Sequence, residues 1–116
     1  MASKNKETGN EGEAIAEKFL QNLGFKTLQK NYRFRRNEID LIVTNGKLMI
    51  FVEVKTRQNN HYGEPEDFVS KSQIARIQQA AEQYMEDENW NGPIRFDILS
   101  VLKKPSLDIL HFEDAF

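Results

Sequence analysis

Two dense apolar runs dominate the hydrophobic pattern of the chain: EIDLIV, starting at Glu38, and LMIFVEV, starting at Leu48, with Thr44-Asn45-Gly46-Lys47 between them. Asn-Gly between β-rich runs predicts a hairpin, because both central residues of a type I′ turn need positive φ. A two-residue loop at Asn45-Gly46 sets Thr44 opposite Lys47, Ile42 opposite Met49, Asp40 opposite Phe51 and Glu38 opposite Glu53. Side chains alternate between faces, so Asp40, Glu53 and Lys55 share one face near the open end of the hairpin. Ile39, Leu41, Val43, Ile50, Val52 and Val54 then cover the other. Both strands are apolar at nearly every central position, which predicts a place in the middle of a sheet.

Around the hairpin the period changes. Ile15, Phe19, Leu20 and Leu23 recur at helical spacing until Gly24, with Asn10 as N-cap and Glu13 at the capping-box position, which predicts a helix over residues 11–23. FKTLQKNYRF alternates weakly and reads as a first strand over residues 25–34. Ser70 with Gln73 starts a second helix, whose apolar stripe is Ile74, Ile77, Ala81, Tyr84 and Met85. Asn91-Gly92-Pro93 breaks the chain before IRFDILSVL, a fourth strand, and residues 107–112 make a short fifth. Strands three and four, joined through a helix, are expected to be parallel. The fold class is therefore α/β: a mixed central sheet of about five strands flanked by helices. Residues 1–8 are polar and without period, so they are expected to form a flexible tail before a single domain of residues 9–116.

Composition narrows the chemistry. The 116 residues include no cysteine and only two histidines, His61 and His111, so any metal must be held by oxygen, which favours Mg2+ or Mn2+ over zinc. No run approaches the roughly 18 apolar residues of a membrane span, and the expected location is cytoplasmic. The net charge of −2 argues against a sequence-blind DNA binder of the histone kind. Yet Lys26, Lys30, Arg33, Arg35 and Arg36 crowd one segment before the acidic hairpin, and Arg57 and Lys71 flank the loop that follows it. Such a patch fits a phosphate backbone, and it equally fits a solvated edge strand.

Folding alone does not ask for Asp40, Glu53 and Lys55 on one face, since like charges across strands destabilise a sheet. A divalent cation reverses that sign. Hydrolysis of a phosphodiester needs an activated water, neutralised phosphoryl charge and help for the leaving alkoxide. In that reading Asp40 and Glu53 hold the metal, with the Val54 carbonyl as a neutral ligand. Lys55 orients or helps to deprotonate the water. Glu13 is either the capping-box residue or a third carboxylate, and Asp97, another buried acid, is read as a structural partner of Arg95. The loop over residues 58–67 leaves the hairpin at the same end and brings His61 and Tyr62 toward it.

The acid, hairpin, Glu-x-Lys order resembles the PD-(D/E)xK nuclease superfamily, with Asp40 as its acid and Glu53-Val54-Lys55 as its Glu-x-Lys. More closely, GNEGEAIAEKFLQNLGF, NYRFRRNEIDLI, IFVEVKTR, Tyr62-Gly63 with Lys71, RFDI and HFEDAF resemble the YraN-like family of small predicted endonucleases, over residues 9–116. The resemblance implies a restriction-endonuclease-like α/β/α core, similarity to archaeal Holliday-junction resolvases, and Glu13, Asp40, Glu53 and Lys55 as the site. Where that family usually has glycine before Glu-Ile-Asp this chain has Asn37, which tolerates positive φ. The expected activity is metal-dependent DNA cleavage on branched recombination or repair intermediates, with a two-fold homodimer as a means of engaging two strands. The alternatives are a non-catalytic nucleic-acid-binding module on the same fold and an adaptor that uses the hairpin as structure only.

Overall fold

The apolar runs build one five-stranded sheet whose spatial order, β1-β2-β3-β4-β5, repeats the order along the chain. The computed structural model describes residues 2–57 and 69–116, with side chains from residue 11 onward. Its elements are α1 (Ala2–Asn22), β1 (Lys26–Phe34), β2 (Asn37–Thr44), β3 (Met49–Arg57), α2 (Lys71–Asp87), β4 (Ile94–Leu102) and β5 (Asp108–Phe112). Central β3 runs antiparallel to β2 and parallel to β4, and α2 supplies the crossover that a parallel pair requires. Leu41, Val43, Ile50, Val52, Leu99 and Val101 bury one face of the sheet with Ala16 and Leu20 of α1. Ile42, Met49 and Phe51 bury the other with Ile77, Ala80, Ala81 and Tyr84 of α2. This is the expected α/β/α arrangement. Among the described residues no helix is long and apolar enough to cross a membrane.

The hairpin turn differs from its expected form. Four residues, 45–48, close it, and Thr44 pairs with Met49, Ile42 with Phe51 and Leu41 with Val52. Only Gly46 in this loop has positive φ, at +96°. Asn45 acts through its side chain instead: Oδ1 accepts from the Lys47 and Leu48 backbone N–H groups at 2.9 and 2.8 Å. The Thr44 hydroxyl donates to the Leu48 carbonyl at 2.8 Å and accepts from Gly46 N–H at 3.0 Å. An Asx turn thus replaces the type I′ turn. The register moves by two residues, one full strand period, so the acids stay on their expected face. Ile39 does not keep its expected side. The β2–β3 ladder ends at Leu41–Val52, the strands part, and Ile39 packs with Ile42 and Phe51 on the α2 side.

The first helix also departs from expectation, beginning at Ala2 rather than at residue 11, so Asn10 lies inside it rather than at its start. Lys and Glu in residues 4–7 are good helix formers, and extending a helix needs no new nucleus. Its end is as read: Gly24 has φ +97°, Gly24 N–H donates to the Gln21 carbonyl and Phe25 N–H to the Leu20 carbonyl, each at 3.0 Å, a Schellman motif. Ser70 caps α2 as expected, accepting from Gln73 N–H at 3.1 Å. Asn37 takes no positive φ; that conformation falls on Arg35, at 61°. Buried Asn37 instead donates from Nδ2 to Gln79 Oε1 at 2.8 Å, tying the start of β2 to α2.

Asp97, wholly buried, holds the C-terminal segment. It accepts two hydrogen bonds from Arg95 at 2.8 and 2.9 Å, one from Asp114 N–H at 3.0 Å, and lies 2.7 Å from His111 Nε2. Burial raises its pKa, but these partners outweigh burial and hold the carboxyl below the usual range. The structural reading of Asp97 therefore stands. His61 and Tyr62 lie outside the described residues.

One close approach fixes α1 on the sheet. Gly12 is buried, and a Cβ there would fall 1.8 Å from Thr56 Oγ1 and 3.0 Å from Thr56 Cβ. Rotation of the Thr56 side chain moves Oγ1 but leaves its Cβ at 3.0 Å, so the two elements must shift apart to admit a side chain at position 12. Gly12→Ala is expected to destabilise the protein by about 1–3 kcal/mol in denaturant unfolding, and Thr56→Ala in the same chain should recover part of the loss.

Candidate active site

The contact of Gly12 with β3 delivers the next residue, Glu13, to the end of the sheet where β2 and β3 separate. Continuing the observed register one pair past Leu41–Val52 sets Asp40 directly opposite Glu53 rather than diagonal to it. The ladder, however, has stopped. Asp40 Oδ2 accepts from the Val54 backbone N–H at 2.8 Å, so a carboxylate takes the place of a backbone acceptor on β2. Glu53 is buried, 8% exposed. Its Oε2 accepts from Gln73 Nε2 of α2 at 2.8 Å and lies 3.3 Å from Lys55 Nζ. Asn31, at φ 53° on β1, lies against Glu13 and Glu38; with its amide assigned so that the nitrogen faces the two acids, it donates to Glu13 Oε1 at 3.1 Å and Glu38 Oε2 at 3.0 Å. Glu13 is thus held from β1 in the helix interior, which removes its capping-box reading.

The four expected residues Glu13, Asp40, Glu53 and Lys55 come together here. Glu38, Asn31 and Gln73 join them. Gln73 is legible in the sequence only as a capping-box residue, and Glu38 only as the strand residue before Ile39. A cleft of about 240 Å³ opens over part of the group, lined by Arg36, Glu38, Asp40, Glu53, Gln73, Arg76 and Ile77; Glu13 and Lys55 do not line it. Of the expected basic residues, Arg36 alone lines this cleft. Arg33 pairs with Glu38 at 3.4 Å, and the Arg35 guanidinium lies 5.0 Å over the Phe34 ring. Arg57 ends β3 beside Leu102, its carbonyl accepting from Lys103 N–H at 3.0 Å, and Lys71 is exposed at the start of α2.

The electrostatics are unfavourable to the ionised protein. Burial, and then the charge of Glu53, push the Asp40 carboxyl from 3.8 up to about 8, against the opposing Val54 hydrogen bond. Burial also raises Glu13; the Asn31 bond opposes the rise, and Glu38 and Glu53 add to it. The oxygen donors facing the cleft are the carboxylates of Glu38, Asp40 and Glu53, beside the guanidiniums of Arg36 and Arg76. No three His, Asp or Glu among the described residues are grouped closely enough to hold a metal by themselves.

The fold and this cluster define a small α/β/α domain with an Asp and Glu-x-Lys site at the parting of its central hairpin. Residues 12–101 match an uncharacterised protein family, UPF0102. Relatives called UPF0102 protein include one from Cytophaga hutchinsonii, 44% identical over 80% of this chain and 82% of its own length. Another, from Christiangramia forsetii, is 38% identical over 100% of this chain and 98% of its own, and one from Chlorobium chlorochromatii is 41% identical over 95% and 91%. The chain belongs to the UPF0102 family, the YraN-like family that its motifs resemble.

A raised carboxyl pKa penalises the folded state as pH rises. The penalty is absent below the ordinary value of 3.8, grows through the interval and is complete above about 8. In metal-free buffer Asp40→Asn is expected to raise the thermal midpoint above pH 8, by roughly 1–3 kcal/mol of stability, with the gain shrinking to nothing near pH 4. Melting curves across this range measure it.

Proposed function

We propose that the protein is a divalent-metal-dependent endonuclease that hydrolyses DNA phosphodiester bonds in the cytoplasm, acting on branched recombination or repair intermediates as a two-fold dimer. The observation that carries this reading is half-buried Asp40 beside buried Glu53, with Lys55 Nζ 3.3 Å from Glu53. Asp40, Glu53 and the Val54 carbonyl would hold Mg2+ or Mn2+, with Glu13 acting directly or through water. The cation would supply charge neutralisation at the phosphoryl group and acidify its water.

The chain's own groups supply the rest. Gln73 fixes the rotamer of Glu53, and the Val54 N–H fixes that of Asp40. Lys55, tethered by Glu53 and only partly exposed, sits where an ammonium can orient the attacking water and offset phosphate charge. Arg33, Arg35, Arg57 and Lys71 would meet the backbone further out.

One observation favours a second reading, a nucleic-acid-binding module without catalysis: no preformed trio of metal ligands exists among the described residues. Cleavage of a labelled panel of single-stranded, duplex, flap and four-way-junction DNA, with RNA alongside, separates the two. Wild type with Mg2+ or Mn2+ is expected to cut at least one DNA form and Glu53→Gln none; equal binding by both without cutting would establish the second reading. Mn2+ is also expected to raise the thermal midpoint of wild type, and Asp40→Asn to abolish most of that rise.

A further inference from the structure

The cleft over the acids carries a second kind of charge. Arg36 from the β1–β2 turn and Arg76 from α2 line the same space of about 240 Å³ as Glu38, Asp40 and Glu53. Two acids of the cleft already hold a basic partner, Glu38 with Arg33 at 3.4 Å and Glu53 with Lys55 at 3.3 Å. Among the described residues neither Arg36 nor Arg76 forms such a pair, and the hydrogen bond seen for the Arg76 guanidinium goes to Ser72 Oγ at 3.2 Å. Both residues are exposed, whereas Glu53 is buried, so the charges are layered with acids at the floor and guanidiniums at the rim. Two cations facing one space repel each other unless an anion comes between them. Further along α2 the lining changes to Phe34, Arg35, Gln79, Glu82, Gln83 and Glu86, where two acids face one arginine.

We infer that Arg36 and Arg76 form a two-sided clamp for one backbone phosphate of a nucleic acid, set directly over the acidic floor. The inference deepens the proposed nuclease reading by assigning the group that seats the phosphate at its site, and it names Arg76, on which no sequence motif bears. A guanidinium presents a planar fork of donors matched to two phosphate oxygens. A floor that attracts a cation and a rim that attracts an anion suit a phosphodiester carrying its own divalent counter-ion. Glu82 and Glu86 would turn the strand away from α2 after that single phosphate.

The test is binding rather than turnover. Fluorescence anisotropy of a labelled single strand and its duplex, with calcium in place of magnesium, is followed across a salt series. Wild type should bind, and Arg36→Ala and Arg76→Ala should each lower the slope of log affinity against log salt by about one. Lys47→Ala, in the loop at the far end of the hairpin, should leave the slope unchanged. Arg76→Lys should keep the slope while weakening binding, because the charge remains and the fork is lost. Arg76→Gln, which retains a donor for Ser72, guards against a local folding defect and should behave like Arg76→Ala. An unchanged slope in both arginine variants, or no binding by wild type, overturns the clamp. Altered slopes without any cleavage in magnesium leave the clamp standing and remove the nuclease reading.

Discussion

Two carboxylates confined where a β-ladder stops are the constraint on which the rest of this molecule turns. Asp40 and Glu53 sit at the last point at which β2 and β3 could pair, and the Asp40 carboxylate occupies the position of the missing backbone acceptor by receiving the Val54 N–H. The strands cannot close over that side chain, so the sheet opens into a cleft instead of continuing. Everything nearby follows from the opening. Ile39 swings to the α2 side, Gln73 reaches in from α2 to Glu53, and Glu13 reaches in from α1. The cost is electrostatic and is accompanied by tight packing: α1 lies so close to Thr56 that even a Cβ at position 12 would not fit between them.

The two interior aspartates show what such a cost means. Asp97 is buried more completely than Asp40, yet its carboxyl lies below the usual range, because Arg95, His111 and the Asp114 N–H surround it. Asp40 has one neutral donor and an acidic neighbour, and its carboxyl rises. A buried acid with a full set of donors anchors structure; one left short of positive charge is held ready for something that brings it. The contrast lies in the partners each carboxyl has and not in how deeply it is buried.

Much of this was legible in the sequence, because strand order, the helical crossover and the shared face of Asp40, Glu53 and Lys55 depend on periods of two and 3.6 residues that read directly from apolar spacing. What was not legible depended on side chains acting in place of backbone. Asn45 closes its loop through Oδ1, so the Asn-Gly signal named the right place and the wrong turn. Asn37 looked like a substitute for glycine and is an amide tether to Gln79. Gln73 looked like half of a cap and is a ligand of Glu53, since a local pattern says nothing of a partner twenty residues back. Asn10 read as a helix start because its residue type suits a cap, while the helix-forming residues before it carried the helix past it.

The four-residue loop over residues 45–48 bears on how the chain can vary. A strand repeats its faces every second residue, so lengthening or shortening this loop by two residues slides β3 along β2 without turning any side chain over. Change by a single residue would carry Glu53 and Lys55 to the α1 face and leave Asp40 behind. Across insertions and deletions in this hairpin, the site therefore permits even steps and forbids odd ones, so the length of this loop must be counted in pairs.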